Sequence, residues 1–383
     1  MNGWTRFRGP NGAGIGPDVS VPATFTEKNV RWRAALPGEG HSSPVIAGGK
    51  VFVTSAEGEK GQRHLLCFDA KNGKELWRQS FAYKTYHTHE LNTAASSTPT
   101  VDAERVYSLW PAPEGFVAVA HTLGGKAVWR RELGAFETQH GGASSPILES
   151  GLLIFSREPE NGDGALLALD PKTGRTVWEV KRPSRDAPYS VPTLLAPGKL
   201  VFSSTAHGVT CLDPKTGKLH WEMPDLFRYR CVGSPILAGG NLIATSGVGN
   251  GSRLMVALKP GAEKPTVAWT LTRGAPYVPT PIAQNNLLFL WADGGIVTCV
   301  RPDSGQTVWQ ERVGGTFYGS PVLSSGKLWA MSAKGELVAI AASEKFALLG
   351  KTDLGAPSNA TPAIDGGTLY LRTVRHLLAV GGK

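Results

Sequence analysis

Histidine, tyrosine and arginine residues recur at one kind of position in this chain, a few residues ahead of a short apolar segment that begins with proline. The residues that could do chemistry are His41, His87, His89, His140, Tyr189, Arg230, Tyr277, Tyr318 and Asn359. Imidazole and phenol groups exchange protons with substrates, and a guanidinium neutralises a carboxylate. The set therefore fits either acid–base chemistry on an anionic sugar or the binding of a ligand without chemistry.

Other kinds of site are not indicated by the sequence. His87 and His89 have a spacing that would let two imidazoles hold one metal ion, but no firm carboxylate or thiolate set completes the shell, so we expect no metal. Spacing reveals no Ser–His–Asp arrangement, no glycine-rich phosphate loop and no paired acids. Three of the four cysteines occupy the same repeat slot, so we expect small buried residues and no disulfide framework. The cysteines are Cys67, Cys211, Cys231 and Cys299.

The elements that must position these residues form a repeat. Eight times a small or polar residue stands directly before a proline that opens a short apolar strand, at intervals of 40 to 55 residues. The prolines are Pro44, Pro99, Pro146, Pro192, Pro235, Pro281, Pro321 and Pro362. A period near 45 residues indicates one supersecondary unit repeated along the chain. The Ser, Thr and Gly residues before the prolines are expected to be structural.

Each unit predicts four short antiparallel strands. In the clearest unit, 190–221, strands are predicted at 191–195, 199–204, 209–213 and 218–221, separated by Gly-containing or Asp-Pro turns. A tryptophan follows the turn after the third strand in most units, and its large apolar area should wedge between neighbouring units. Four short strands cannot bury both faces alone, so the units should stack radially as blades of a β-propeller.

The chain ends predict how the ring closes. The eighth unit has three strands, whereas residues 30–36 form a fourth strand that lacks the first three. Trp32 precedes Pro44 by 12 residues, as Trp269 precedes Pro281 and Trp309 precedes Pro321. We therefore predict one all-β domain over 1–383, an eight-bladed propeller of four-stranded antiparallel blades whose last blade is closed by the N-terminal strand. An extension (1–29) precedes that strand, and blades start near residues 43, 98, 145, 191, 234, 280, 320 and 361.

This architecture predicts where the candidate residues meet. The innermost strand of a propeller blade starts at the face that carries the loops between blades, so residues before each proline should ring the mouth of the axial channel. A concave mouth with converging polar and aromatic groups is the usual form of a ligand site. The long insertion 81–97 should drape across this face. Loops between second and third strands reach the same face and add Arg157, His207, Arg372 and Arg375.

Composition and charge restrict the partners. The chain has a net charge of +9, but its Lys and Arg residues are scattered, so we interpret them as a solvated rim and expect no nucleic-acid partner. No apolar run approaches the 18 or so residues needed to cross a bilayer. No signal segment is recognisable, so an exported protein would have had its signal peptide removed. We expect a monomer.

The segments Asp-x-x-Thr-Gly-x-x-x-Trp at 170–178 and 213–221 resemble the tryptophan-docking repeats of the pyrroloquinoline-quinone-like propeller superfamily. The stretch Trp4-x-x-x-Arg8-Gly9-Pro10-Asn11-Gly12-x-Gly14 and the pair Ser42-Ser43-Pro44 and Val51-Phe52-Val53-Thr54 resemble its uncharacterised exported bacterial branch. The chain is also distantly similar to the outer-membrane-assembly propeller lipoprotein. The resemblance covers nearly the whole chain and implies a propeller in the periplasm or secreted from the cell.

The same resemblance leaves three functions open, because the superfamily includes dehydrogenases and non-catalytic scaffolds. The dehydrogenases carry a vicinal cysteine pair and bind calcium through carboxylates near the axis. This chain has no adjacent cysteines, and its segments entering the inner strands are nearly free of acids apart from Glu90. We therefore expect no quinone cofactor.

The preferred hypothesis is a binding or scaffolding propeller of the bacterial envelope, which takes an envelope protein or an anionic or carbohydrate ligand at the channel mouth. The alternatives are a lyase-like polysaccharide enzyme using the His, Tyr and Arg residues, and a quinone-dependent oxidoreductase.

Overall fold

Eight four-stranded antiparallel sheets form the blades of a propeller in the computed structural model, which describes residues 3–249 and 251–381. The prediction of fold class is therefore confirmed, including the number of blades. Residues 1 and 2 of the predicted N-terminal extension lie outside the described residues. Within the described ranges the only helical segments are single 3-10 turns, at Pro10–Gly12, Glu27–Asn29, Gly58–Lys60 and Pro224–Leu226.

The strands follow one another from the axis outward in blades 1 to 7. Blade 1 contains β2 (Val45–Ala47), β3 (Lys50–Glu57), β4 (Gln62–Asp69) and β5 (Glu75–Ala82). Blade 2 contains β6 (Thr100–Val101), β7 (Arg105–Ala112), β8 (Gly115–Thr122) and β9 (Ala127–Glu132). Blade 3 contains β10 (Ile147–Glu149), β11 (Leu152–Arg157), β12 (Asn161–Leu169) and β13 (Thr176–Arg185). Blade 4 contains β14 (Thr193–Ala196), β15 (Lys199–Ser204), β16 (Gly208–Leu212) and β17 (Leu219–Met223).

The second half of the ring repeats this order. Blade 5 contains β18 (Ile236–Ala238), β19 (Asn241–Gly247), β20 (Arg253–Lys259) and β21 (Thr266–Leu271). Blade 6 contains β22 (Ile282–Gln284), β23 (Leu287–Trp291), β24 (Ile296–Val300) and β25 (Thr307–Arg312). Blade 7 contains β26 (Val322–Ser324), β27 (Lys327–Met331), β28 (Glu336–Ala341) and β29 (Leu348–Asp353). Blade 8 contains β30 (Ala363–Asp365), β31 (Thr368–Arg372) and β32 (His376–Val380).

The N-terminal strand closes the ring as predicted. Strand β1 (Val30–Ala35) pairs antiparallel with β32, with Trp32 opposite Ala379 and Arg33 opposite Leu378. Chain ends that share one sheet leave no open edge between the first and last blades.

Every inner strand begins at the residue directly after its proline. In blade 4 this places the start of β14 at Thr193, two residues later than the sequence pattern predicts. Pro192 has no N–H to donate, and the Val191 amide donates to the Ser234 hydroxyl of the next blade (2.9 Å) instead of entering the ladder. The pre-proline residue therefore links blades rather than strands.

The hydrophobic core lies in layers between neighbouring blades. Between blades 1 and 2, for example, Phe52 and Cys67 share a cluster with Val106 and Val119. At the outer edge, six tryptophans donate their indole N–H to a carbonyl in the following blade, at 2.9 to 3.1 Å. They are Trp32, Trp77, Trp129, Trp178, Trp269 and Trp309. Each of these contacts between neighbouring blades thus combines the packing of an indole ring with one directional hydrogen bond.

The N-terminal segment 4–16 fills the lower part of the axial channel. Its backbone pairs with inner strands, since Ile46 N–H donates to Trp4 O (2.8 Å) and Leu323 N–H to Gly14 O (2.8 Å). Arg8, fully buried, donates all five of its N–H groups to carbonyl oxygens at 2.9 to 3.2 Å. Three of those carbonyls belong to blades 6 and 7, so the segment is a plug that ties the channel wall together.

Candidate functional site

A cavity of about 770 Å³ opens at the face where the inner strands begin. Phe7 of the plug lines it from below, and pre-proline residues form the wall above. A concave site of this size is within the range that holds a small ligand or a short peptide segment. Because the plug fills the channel beneath Phe7, we describe the site as a blind pocket, here called the mouth cavity.

The lower wall of the mouth cavity is built by hydrogen bonds between pre-proline residues. The amide of each such residue donates to the side-chain hydroxyl of the equivalent residue in the next blade, at 2.9 to 3.2 Å. Seven of eight positions, all of them described by the structure, form this link. The exception is the step from Ser145 to Val191, because valine has no hydroxyl. The structural role expected of these residues therefore takes the form of hydrogen bonds that link each blade to the next.

The structure places eight of the nine candidate residues on the lining of this cavity. They are His41, His89, His140, Tyr189, Arg230, Tyr277, Tyr318 and Asn359. His87 is exposed and is not a lining residue. Whether the eight bind a ligand remains a prediction. The insertion contributes five lining residues, His89, Glu90, Leu91, Asn92 and Ser96, so it covers part of the mouth.

The insertion is anchored to blade 3 through histidine backbones. Asn92 donates its side-chain amide to His140 O (2.8 Å), and the His89 amide donates to the same oxygen (3.3 Å). The two imidazoles meet edge to face with ring centroids 4.9 Å apart. Burial lowers the pKa of His140, and the charges of Arg230 and His89 lower it further. His140 is therefore a neutral group at pH 7.

His41 lies in blade 1 beside a buried arginine. Burial and the positive charge of Arg372 lower the pKa of His41 to about 4, although a hydrogen bond that the imidazole donates to the Gly40 backbone opposes this. Arg372 is fully buried and is held by Ser42, both by its carbonyl oxygen (2.9 Å) and by its hydroxyl. This arginine, expected at the mouth, lies beneath the lining instead and is not accessible from the cavity.

Arg230 is already paired. Its guanidinium donates two hydrogen bonds to Glu160, at 2.6 and 3.1 Å, and a third to Ala187 O at 2.8 Å. It also lies over the Tyr189 ring, 5.5 Å from the centroid. Burial raises the pKa of Glu160, but Arg230 outweighs it and holds the pKa below the usual range. The positive charge expected to receive an anionic substrate is thus neutralised from within the protein.

Acidic groups at the mouth are more numerous than the sequence analysis expected. Asp186 and Asp293 line the cavity together with Glu90. Asp293 is buried and accepts hydrogen bonds from the amides of Tyr277 (2.9 Å) and Val278 (3.1 Å), which orients the tyrosine loop. Glu160 and Asp293 lie in loops between second and third strands. Reading these loops for acids as well as for His and Arg would have found both.

No metal centre is evident in the part of the chain that the structure describes. There, no group of three or more His, Cys, Asp or Glu side chains could hold a metal ion. The four cysteines are buried free thiols, as predicted; three lie in blade strands, and Cys231 lies in the segment between blades 4 and 5. Burial raises the pKa of Cys67, Cys211 and Cys299 to about 12, so these thiols are not nucleophiles at neutral pH.

The comparisons with known proteins agree with the fold. The family profile described as outer membrane protein assembly factor BamB matches residues 23–80, 61–311 and 163–380. The crystal structure of BamB from Moraxella catarrhalis has 12% sequence identity and a TM-score of 0.64, over 92% of this chain and 98% of that one. No curated protein matches the sequence.

Dehydrogenases share the same architecture. The quinohemoprotein alcohol dehydrogenase from Comamonas testosteroni has 14% identity and a TM-score of 0.69, over 100% of this chain and 81% of that one. A europium-containing methanol dehydrogenase has 12% identity and a TM-score of 0.68, over 98% and 90% of the two chains. At these identities the likeness shows the fold alone. The family match, which spans most of the sequence, shows that the chain belongs to the BamB family of pyrroloquinoline-quinone-like β-propellers.

Proposed function

We propose that this protein is a non-catalytic binding or scaffolding propeller of the bacterial envelope, and that it holds a ligand or partner segment in the mouth cavity. The observation that carries the proposal is the cavity itself: a blind pocket whose wall brings together side chains from all eight blades. The description of the family as an outer-membrane assembly factor supports an envelope location and a protein partner.

A binding role accords with how the polar groups are used. Arg230 donates three hydrogen bonds to Glu160 and Ala187 O, and both oxygens of Asp293 accept hydrogen bonds from backbone amides. The imidazole Nδ1 of His89 accepts a hydrogen bond from the Leu91 amide (3.2 Å). Side chains held by such hydrogen bonds within the protein are preorganised and present a fixed surface, which favours recognition. A general base, in contrast, needs a free lone pair within reach of the substrate proton.

The donor set does not fit the quinone chemistry of the dehydrogenases. Their vicinal cysteine pair has no counterpart, since the four cysteines of this chain are separate from one another in sequence and are all buried. The carboxylates of Glu160 and Asp293, nearest to a calcium-binding set, are occupied by Arg230 and by backbone amides. The residues present therefore do not form a quinone site of the dehydrogenase type.

No helix within the described residues is long or apolar enough to cross a membrane.

Site-specific photocrosslinking in envelope preparations tests the proposal. A photoreactive amino acid at Tyr318, on the cavity lining, should give one discrete crosslinked product, whereas the same group at Leu219 should not. Leu219 is 52% exposed on the outer strand of blade 4 and is a matched accessible control. Equal crosslinking at both positions would overturn the proposal. So would new ultraviolet absorbance from uronate polymers incubated with the protein, since it would indicate a lyase.

A further inference from the structure

We propose that the mouth cavity accepts a cationic group, and specifically a lysine or arginine side chain presented by a segment of a partner protein. The inference rests on the proposed binding function and adds the chemical class of what is bound. The charge of the proposed group is opposite to that of the anionic ligand expected from the sequence.

The charged side chains around the cavity favour a cation. Glu90, Asp186 and Asp293 line it, and Glu160 lies directly behind Arg230. Arg230 and Arg253 are the arginines on the described lining, so three lining carboxylates face two guanidinium groups, a local net charge of −1 before Glu160 behind Arg230 is counted. Arg253 lies 3.7 Å from Asp293. The exposed Arg185 approaches Asp186 only to 3.9 Å. A locally negative cavity in a chain of net charge +9 is a selective feature rather than an average property.

The histidines do not reverse this balance at neutral pH. The pKa of His41 is lowered to about 4 by burial and by Arg372, and that of His140 is also lowered, chiefly by burial. These two imidazoles therefore enter the cavity as neutral polar groups. They remain able to accept or donate a hydrogen bond without repelling a cation.

Four tyrosine rings on the lining also favour a cation. Tyr189, Tyr229, Tyr277 and Tyr318 come from the entries of blades 4, 5, 6 and 7 and form one side of the cavity. The face of an aromatic ring attracts cations, and carboxylates near the ring strengthen that attraction. Burial raises the pKa of Tyr318, and the charges of Asp293 and Glu90 raise it further, so both carboxylates act on this ring. The wall already holds one cation, since Arg230 lies over Tyr189.

An anionic ligand meets the opposite situation. To pair with Arg230 it would have to displace the Glu160 carboxylate from two hydrogen bonds, at 2.6 and 3.1 Å. The displaced carboxylate would then lie unpaired in a half-buried position, which is costly. A cation needs no such displacement, because Glu90 is exposed at the rim and its side chain makes no hydrogen bond or ion pair with another described residue.

Isothermal titration calorimetry with two peptides of equal length provides the test. One peptide carries six lysines and the other six glutamates, each flanked by Gly-Ser. The overall charge of +9 favours the glutamate peptide non-specifically, so preference for the lysine peptide must come from a local site. We expect the lysine peptide to bind, with affinity falling as salt is raised.

Matched variants locate the binding. Glu90→Gln removes one cavity carboxylate and should weaken the lysine peptide at least about threefold, whereas Glu263→Gln, in an exposed turn of blade 5, should leave affinity unchanged. Equal effects of the two substitutions, or binding of neither peptide, would overturn the inference. Binding of the glutamate peptide that is lost in Tyr318→Ala would also overturn it, yet would leave the mouth cavity as the binding site. The crosslinking experiment judges that broader proposal separately.

Discussion

The amide nitrogen of Thr361 in blade 8 donates a hydrogen bond to the hydroxyl of Ser43 in blade 1, with an N···Oγ distance of 3.2 Å. This contact closes a ring of equivalent links around the channel, made by residues that precede the eight prolines. The residue before a proline is restricted to extended conformations, which aims its amide sideways toward the next blade. A hydroxyl at the same position of that blade is the acceptor. The repeated Ser or Thr before proline is therefore an inter-blade connector.

Val191 interrupts that ring, and Val191→Thr should complete it. Threonine has nearly the shape of valine and offers the Ser145 amide a hydroxyl acceptor, so we expect stabilisation of about 1 kcal/mol. Chemical denaturation, with midpoint and slope compared to the parent, measures the change. Thr98→Val removes an existing link and should destabilise by a similar amount. Shifts of both variants in the same direction would contradict the connector role.

Arg8 should not tolerate replacement by lysine. Its five N–H groups reach five carbonyl oxygens, including those of Thr280, Pro281 and Pro321. Lysine has three donors and no planar fork, so at least two buried carbonyls would lose their partner, at a cost of about 3 kcal/mol. Arg6→Lys is the matched control, because Arg6 donates to one carbonyl, Pro192 O (2.7 Å). Equal losses of unfolding free energy in the two variants would argue against the plug being anchored at Arg8.

Position 217 should require glycine for two reasons: its positive φ and the close approach of the Trp178 ring. Gly217 has φ of +71°, and a Cβ there would lie 2.9 Å from the indole of Trp178. Gly240 has φ of +78° but no heavy atom within 4 Å of its would-be Cβ. Alanine at both positions incurs the left-handed strain, so the extra destabilisation of Gly217→Ala, about 1–3 kcal/mol, isolates the contact with tryptophan. Thermal unfolding of the two variants measures it. Identical melting temperatures would show that the indole moves aside freely.

His41 should make the protein less stable in acid. Its folded pKa of about 4 lies below the unfolded value of 6.5, so protons bind preferentially to the unfolded chain. The stability it contributes is fully present above pH 6.5 and is lost as pH falls toward 4, by up to about 3 kcal/mol. His41→Gln should flatten unfolding free energy across that window. Some slope should remain, because burial also lowers the pKa of His64, His121 and His140.

The matched control for this pH experiment is His220→Gln, on an exposed imidazole of blade 4. It should leave the acid limb of the stability curve as in the parent. A His41→Gln variant that loses stability between pH 6.5 and 4 as steeply as the parent would contradict the role assigned to the buried imidazole.

The blade count and the ring closure could be predicted because they depend on local patterns. Each blade is a set of hairpins joined by short turns. A strand whose tryptophan lies 12 residues before the proline of the next blade is a fourth strand, even when, as at Trp32, the other three strands of its blade lie at the far end of the chain. The positions of His140 and Tyr318 at the mouth followed from the same logic, since position within a repeat determines the face of the ring. His87 and His89 lie in the insertion, which has no counterpart in the other repeats, so the repeat could not predict that His89 lines the cavity and His87 does not.

Sequence alone thus determined the repeat, the ring and many of the residues that gather at its mouth, because those depend on contacts between neighbouring segments. Only the tertiary structure decided which charges cancel and what closes the channel. Glu160 meets Arg230 across 70 residues, and Arg8 reaches Pro321 across 313. Such pairings depend on how distant blades and loops are oriented about the axis, and periodicity carries no information about that orientation. The physical consequence is an acidic, tyrosine-walled pocket in a basic protein.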